Sequence, residues 1–332
     1  MNKKFNKEQL VWMLGDEFDS YEIENQKLEK FGYYMAVSNN TTFINDFSKY
    51  GTIAKGLLVQ PSFNLKEKHI INLHLCKIIA SIGVGYNNID VNAATKKGII
   101  VTHVPDYCVE EVSDHTIFLI LALNRRILDS QKMINQGEWK AVDIGPIRRL
   151  KGQILGLVGF GRIAQTVARK AICLGLEVVA YDPYKSNIEM SNIGVKKVEL
   201  IELVRSSDII SLHVFLTDET LHLFNRDMFL QMKKTAYLIN ACRGEVVDED
   251  ALIQALQDKQ IAGAGLDVLT KEPPNPENPL LHMSNTIVTP HSAYISQEAL
   301  FEVRERAVQA VIDALNGKVP QNIINSEVLQ GK

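Results

Sequence analysis

Short apolar runs alternate with stretches of helical spacing along most of this chain, which is the pattern of parallel α/β structure. In the first third, the runs at 56–59, 77–82 and 98–102 read as strands, with helices over 66–75 and 91–97 between them. A long helix rich in Ile and Leu follows over 108–126. It ends on Arg125 and Arg126, cations that suit the negative end of its dipole. The polar stretch beyond, with Gly137, Gly145 and Pro146, reads as a loop. From Gln153 a second, stronger series begins, with strands at 154–158, 177–181, 209–213, 236–240, 263–267 and 286–289. A helix over 162–174 is closed by Gly175. The last helix, 296–315, carries Val303, Ala307, Ala310, Val311 and Leu315 at helical spacing and stops at Asn316-Gly317.

The composition narrows the class. A chain of 332 residues suits two domains, and 46% hydrophobic with 23% charged residues is ordinary for a globular protein. A net charge of -3 argues against a general nucleic-acid binder. The N-terminus starts basic but has no sustained apolar core or small-residue cleavage site, so it is not read as a secretory signal. The apolar run 117–123 is far too short to cross a bilayer, and no membrane role is expected. Cys76, Cys108, Cys173 and Cys242 are scattered, without metal-ligand spacing or a disulfide framework. A reduced cytoplasmic setting and no metal are expected.

The chemistry begins at Gly159-Phe160-Gly161-Arg162-Ile163-Ala164, a G-x-G-x-x-A fingerprint between a strand and a helix. The first glycine permits a tight turn and the second lets the backbone approach a pyrophosphate. The small third residue brings helix and strand together. Asp182 follows the next strand about 20 residues on, where ribose hydroxyls are held, and an acid there repels the extra phosphate of NADP. NAD is therefore the expected cofactor.

Three segments then lie in order: Asn240-Ala241-Cys242-Arg243-Gly244, Leu266-Asp267 through Glu272-Pro273, and Thr289-Pro290-His291-Ser292-Ala293-Tyr294. A hydride transfer to a 2-keto acid needs a cation on the carboxylate, an acid for the new alkoxide and a partner that keeps that acid protonated. These segments offer all three. His115 reads as structural, and Cys242 as a small packing residue with no catalytic duty.

At these motifs the chain resembles the D-isomer-specific 2-hydroxyacid dehydrogenase family, over nearly its whole length. The resemblance implies Arg243 as substrate clamp, His291 as proton donor and acceptor, and Glu272 as its paired carboxylate. It implies that Val84 and Gly85 hold the substrate carboxylate, with Tyr294 nearby. On the cofactor it implies Gly159, Phe160, Gly161, Arg162, Ile163 and Asp182. It adds His213, at the adenosine edge, with Val214, Thr220, Ala241, Cys242 and His291, and Asp267 at the nicotinamide end.

The family also implies two doubly wound parallel-sheet domains, a Rossmann nucleotide domain (105–296) inserted into a flavodoxin-like substrate domain (1–104 and 297–332). The site would lie in the cleft, where closure could exclude water. The helix 108–126 and the loop after it resemble the region through which the family forms homodimers. Within the family, Val104 to Glu111, Leu150 to Gln153 and Tyr294 are similar to the branch of C-terminal-binding-protein co-repressors and their bacterial dehydrogenase relatives. An NADH-responsive scaffold of that type is the alternative to a dehydrogenase, and an enzyme for formate or an oxyanion is a third reading.

The chain departs from the family pattern at a few points, one of which bears on the substrate. Ala164 replaces the commoner third glycine, which the fingerprint tolerates. Gln60 and Ser62 stand where phosphoglycerate dehydrogenases of the family carry phosphate-binding arginines, which speaks against 3-phosphoglycerate. The chain stops soon after Gly317, with no room for the regulatory domain of the longer phosphoglycerate enzymes.

Overall fold

The computed structural model describes residues 9–330, so the basic start of the chain, read above as no secretory signal, lies largely outside the described residues. The chain divides into two compact units, Met1–Tyr107 with Ser296–Lys332, and Cys108–Ile295.

The first unit alternates β1 (Leu10–Leu14), α1 (Glu22–Glu29), β2 (Tyr34–Ser38), α2 (Phe43–Tyr50), β3 (Gly56–Val59), α3 (Glu67–Ile70), β4 (Ile78–Ser81), α4 (Val91–Lys96) and β5 (Ile100–Thr102). The strands pair in the order β2-β1-β3-β4-β5, all parallel, which is the flavodoxin-like order. Helices on both faces bury the central strands fully, so β1, β3 and β4 are unbroken apolar or small-residue runs. Trp12 of β1 is completely buried and donates its indole N–H to Ser38 Oγ at 2.9 Å, which satisfies the polar end of an otherwise apolar payload.

The second unit carries α5 (Val109–Asn124), α6 (Ile127–Asn135), β6 (Ile154–Val158), α7 (Arg162–Cys173), β7 (Glu177–Tyr181), α8 (Asn187–Ser191), β8 (Lys196–Lys197), α9 (Leu200–Ser206), β9 (Ile209–Leu212), α10 (Arg226–Gln231), β10 (Tyr237–Asn240), α11 (Glu249–Gln257), β11 (Gly263–Leu266) and β12 (Thr286–Val288). Its seven strands are all parallel, in the order β12-β11-β10-β9-β6-β7-β8. The winding reverses between β6 and β9. That is the Rossmann arrangement, and ligands of such sheets bind outside the strand ends at this switch point. The chain then returns to the first unit as α12 (Gln297–Leu315), whose first turn is capped by Ser296 Oγ accepting the Ala299 N–H at 2.9 Å. Its buried positions are Ala299, Val303, Ala307, Val308, Val311, Ile312 and Ala314.

Several elements differ from the sequence expectation. The helix over 66–75 shrinks to the single turn of α3, because His69, Asn72 and Leu73 donate to carbonyls three residues back and tighten the chain into turns. The helix over 108–126 ends at Asn124. Arg125 is the C-cap of α5, and Arg126 takes the left-handed conformation (φ 52°), so the basic pair closes α5 as expected and turns the chain into α6. Ala310 and Leu315 are only partly buried on α12. The strands β1, β2 and β8 and the helices α1, α2, α6 and α8 to α11 were not expected from the apolar pattern.

Candidate active site

The loop after β6 meets the loop after β9 at the switch point. Gly159 has φ 90°, and a Cβ there would fall on the carbonyl of His213, so only glycine fits. Gly161 opens the 12-residue α7, and nothing lies within 4 Å of where its Cβ would stand. That open ground faces the unpaired N–H groups of the first turn, beginning at Arg162 and Ile163, and is suited to a phosphate. Ala164 is fully buried, which lets α7 sit close to the sheet. At the end of β7, Asp182 Oδ2 accepts the Phe160 N–H and Oδ1 the Tyr184 N–H, both at 2.8 Å. The acid thus braces the glycine loop. The loop, the helix end and the carboxylate fit a dinucleotide.

The other edge of this site is formed by 213–220. His213 lies 2.9 Å from Ser211 Oγ, and burial pushes its pKa down to about 4, so the ring is neutral at ordinary pH. Val214 packs beside Gly159. Thr220 Oγ accepts the Thr217 N–H at 2.8 Å and closes the turn.

Three further strand ends carry the reactive side chains. After β10, buried Asn240 accepts the Cys242 N–H at 3.1 Å and donates to the Arg243 carbonyl at 2.8 Å, a clasp around Ala241 that turns the chain outward. Gly244 then packs against the backbone of Leu269 and Thr270, and any Cβ would collide with the Leu269 carbonyl. This contact brings the loop of Arg243 against the loop of Glu272. Burial pushes the Cys242 thiol up to about 11, so it is no thiolate nucleophile.

Glu272 Oε1 accepts the Leu269 N–H at 3.0 Å, and Oε2 lies 2.6 Å from His291 Nδ1. Partial burial favours the neutral acid. The His291 hydrogen bond and charge, the Leu269 amide and the Arg243 charge outweigh it, and the carboxyl sits below the usual glutamate range. The carboxylate is therefore ionised at neutral pH. With Nδ1 committed to it, Nε2 of His291 is the nitrogen left to give or take a proton.

His291 has φ 51°, a conformation that side chains with a Cβ rarely adopt. Its N–H donates to the carbonyls of Asp267 (2.8 Å) and Thr289 (2.9 Å). Asp267 is almost wholly buried. Its Oδ1 accepts from Thr289 Oγ (2.6 Å) and the Ser292 N–H (2.9 Å), and its Oδ2 accepts the Ala293 N–H (2.9 Å). Tyr294 stands edge-on to the imidazole, with ring centroids 6.1 Å apart. Sequence reasoning gave no role to Asn240, Gly244 or Thr289, and read His115 as structural. His115 Nε2 lies 2.9 Å from Thr289 Oγ.

Val84 and Gly85 belong to the first unit, on the loop after β4. Their carbonyls accept from His103 Nδ1 and Ser81 Oγ, each at 2.8 Å, which ties the carbonyl side of the loop into the fold. After β3, Gln60 is fully buried and its Oε1 accepts the Glu17 N–H at 2.8 Å. Glu17 Oε1 in turn accepts the Ser62 N–H at 3.1 Å. A carboxylate from the segment after β1 is thus bonded to the loop of Gln60 and Ser62, a contact that the sequence reading missed.

Comparison with known proteins agrees with this geometry. The family model described as "D-isomer specific 2-hydroxyacid dehydrogenase, NAD binding domain" matches residues 117–293. A glyoxylate reductase of Korarchaeum cryptofilum is 40% identical over 258 residues, 76% of this chain and 77% of that one. A D-3-phosphoglycerate dehydrogenase of Archaeoglobus fulgidus is 39% identical over 249 residues, 75% of this chain but 47% of that one. Among solved structures, the D-lactate dehydrogenase of Aquifex aeolicus complexed with NAD and lactic acid superimposes with a TM-score of 0.83 at 30% identity, covering 97% of this chain and 98% of that one.

Proposed function

This chain belongs to the D-isomer specific 2-hydroxyacid dehydrogenase family, and we propose that it reduces a small, unphosphorylated 2-keto acid to the D-2-hydroxy acid with NADH. The observation that carries this reading is the 2.6 Å contact between His291 and an ionised Glu272, on loops packed against that of Arg243. Bound NADH supplies the hydride. Arg243 pairs with the substrate carboxylate and polarises its carbonyl, and its charge offsets the charge that grows on the oxygen. His291 gives its Nε2 proton to that oxygen, and the neutral ring left behind regains a proton from solvent. Glu272 holds the imidazolium through Nδ1 and orients the ring.

The amides of Val84 and Gly85 serve the substrate carboxylate, and Tyr294 flanks the same histidine. Gly159 to Ile163, Asp182, His213, Val214, Thr220, Ala241 and Cys242 form the cofactor surface, with Asp267 and His291 at its reactive end. In this reading Met1–Tyr107 with Ser296–Lys332 is the substrate unit and Cys108–Ile295 the nucleotide unit. The co-repressor alternative is not favoured, because the relatives are named as reductases and dehydrogenases.

A cytoplasmic homodimer completes the reading. Phe118, Ile127, Leu128, Ile134, Trp139 and Val142 leave large apolar surface exposed on and after α5, and such clusters mark association sites. Cys76, Cys108, Cys173 and Cys242 form no disulfide among the described residues, as suits a reducing compartment. Among the described residues, no helix is long and apolar enough to cross a membrane. The test is NADH oxidation over glyoxylate, hydroxypyruvate, pyruvate, 2-ketoisocaproate, phenylpyruvate and 3-phosphohydroxypyruvate. Tight NADH binding with no turnover of any of them would overturn the enzyme reading.

A further inference from the structure

We propose that His115, on α5, is a positioning residue for the acid–base histidine, acting through Thr289 and Asp267. The inference rests on the reading of His291 as the proton donor. It starts from the left-handed backbone of His291 (φ 51°), a conformation uncommon for residues with a Cβ. Asp267 is what holds that backbone: its carbonyl takes the His291 N–H, and its carboxylate takes the N–H groups of Ser292 and Ala293. A carboxylate so buried needs a fixed orientation to serve these two amides.

That orientation is set by one chain of side chains. His115 Nε2 lies 2.9 Å from Thr289 Oγ, Thr289 donates to Asp267 Oδ1 at 2.6 Å, and Nε2 is itself 3.5 Å from the same oxygen. Because the Thr289 proton goes to Asp267, the hydroxyl is free to accept, and His115 serves as the donor. The ring comes from a rigid support. Leu119 and Leu123 of the same helix press on Gly265 of β11, two residues before Asp267. So α5 presents His115 at a defined point beside the end of β11: through Thr289 it fixes Oδ1, which also takes the Ser292 N–H, while Oδ2 receives the Ala293 N–H.

The consequence falls mainly on turnover. The network meets the cofactor surface only at its reactive end, through Asp267 and His291. It does not touch the glycine loop or Asp182 at β6 and β7, which hold most of the dinucleotide, so turnover should fall far more than cofactor affinity. Loosening the His291 turn misplaces Nε2 relative to the substrate oxygen, and displacements of about 1 Å in such a group cost on the order of 10²-fold. His115→Leu and Thr289→Val should each lower kcat by roughly 10–100-fold, with KM for NADH changed less than about threefold. His115→Gln carries a donor at nearly the same reach and should recover most of the loss. The double variant His115→Leu/Thr289→Val should be no worse than the poorer single one, because one chain is broken only once.

The experiment is steady-state kinetics of these four variants of the full chain on the best 2-keto acid of the wild type. Losses that multiply in the double variant, a His115→Gln variant as poor as His115→Leu, or wild-type kcat in His115→Leu would each overturn the proposal. If His115→Leu does not fold, Thr289→Val and His115→Gln decide between the same outcomes. Failure of the wild type to reduce any 2-keto acid would instead overturn the functional reading beneath it.

Discussion

Glu272 Oε2 lies 2.6 Å from Nδ1 of His291 and so joins the loop after β11 to the loop after β12, while Gly244 packs the loop of Arg243 on Leu269 of the former. The Glu272 carboxyl sits below the usual glutamate range despite its partial burial. The sign follows from proton binding. A carboxylate with a depressed folded pKa contributes stability above the unfolded value of about 4.3, and loses it as pH falls through the lower folded value. At neutral pH the charge is therefore present to hold an imidazolium. Glu272→Gln keeps the shape and removes the charge, so the alkaline limb of kcat/KM for keto-acid reduction should move to lower pH. An unchanged pH profile would remove Glu272 from the mechanism. His291→Ala should lose ~10²–10⁴-fold, the usual contribution of a general acid.

Asp182 braces the glycine loop through Phe160 and also stands where ribose hydroxyls are expected. Its charge would face the dianionic phosphate of NADPH at close range. The wild type should prefer NADH in kcat/KM, and Asp182→Ala should narrow the gap mainly by raising KM for NADH. Equal use of both cofactors by the wild type would sink this assignment.

Substrate charge offers a third test. The loop after β3 presents no arginine, and the Glu17 carboxylate is bonded to the Ser62 amide there. A phosphate held there would meet repulsion in place of bidentate donors. Glyoxylate or hydroxypyruvate should be reduced better than 3-phosphohydroxypyruvate, and Glu17→Gln should improve the phosphorylated substrate relative to the others by several-fold. The opposite ranking in the wild type would mean that another basic group serves the phosphate.

His213 should make the fold acid-sensitive. Its folded pKa is about 4, pushed down by burial, against about 6.5 for a free histidine. Between those values the unfolded chain binds a proton that the folded chain does not, so stability falls as pH drops from about 6.5 to about 4. Thermal unfolding followed over that window should show a smaller fall in Tm for His213→Gln than for the wild type. Parallel curves would contradict a ring held neutral by the fold.

Local order along the chain decided much of this protein. The strands at β6, β7, β9 and β10, the fingerprint at Gly159 to Ala164, and Asp182 at the end of β7 were legible because each is a contiguous pattern of period or spacing. The ordered motifs around Arg243, Glu272 and His291 were legible for the same reason. Other elements carried too weak a local signal. The strand β2 is an edge strand with partly exposed positions, and the break at Arg126 uses no glycine or asparagine to announce a left-handed residue. The working geometry of the site belongs to the tertiary structure alone. The Gly244 contact with Leu269, the buried carboxylate of Asp267 beneath the His291 turn, and His115 reaching Thr289 from α5 each join residues on different elements. Contacts between 22 and 174 positions apart leave no periodicity to read, so only the packing of helix on sheet brings them together.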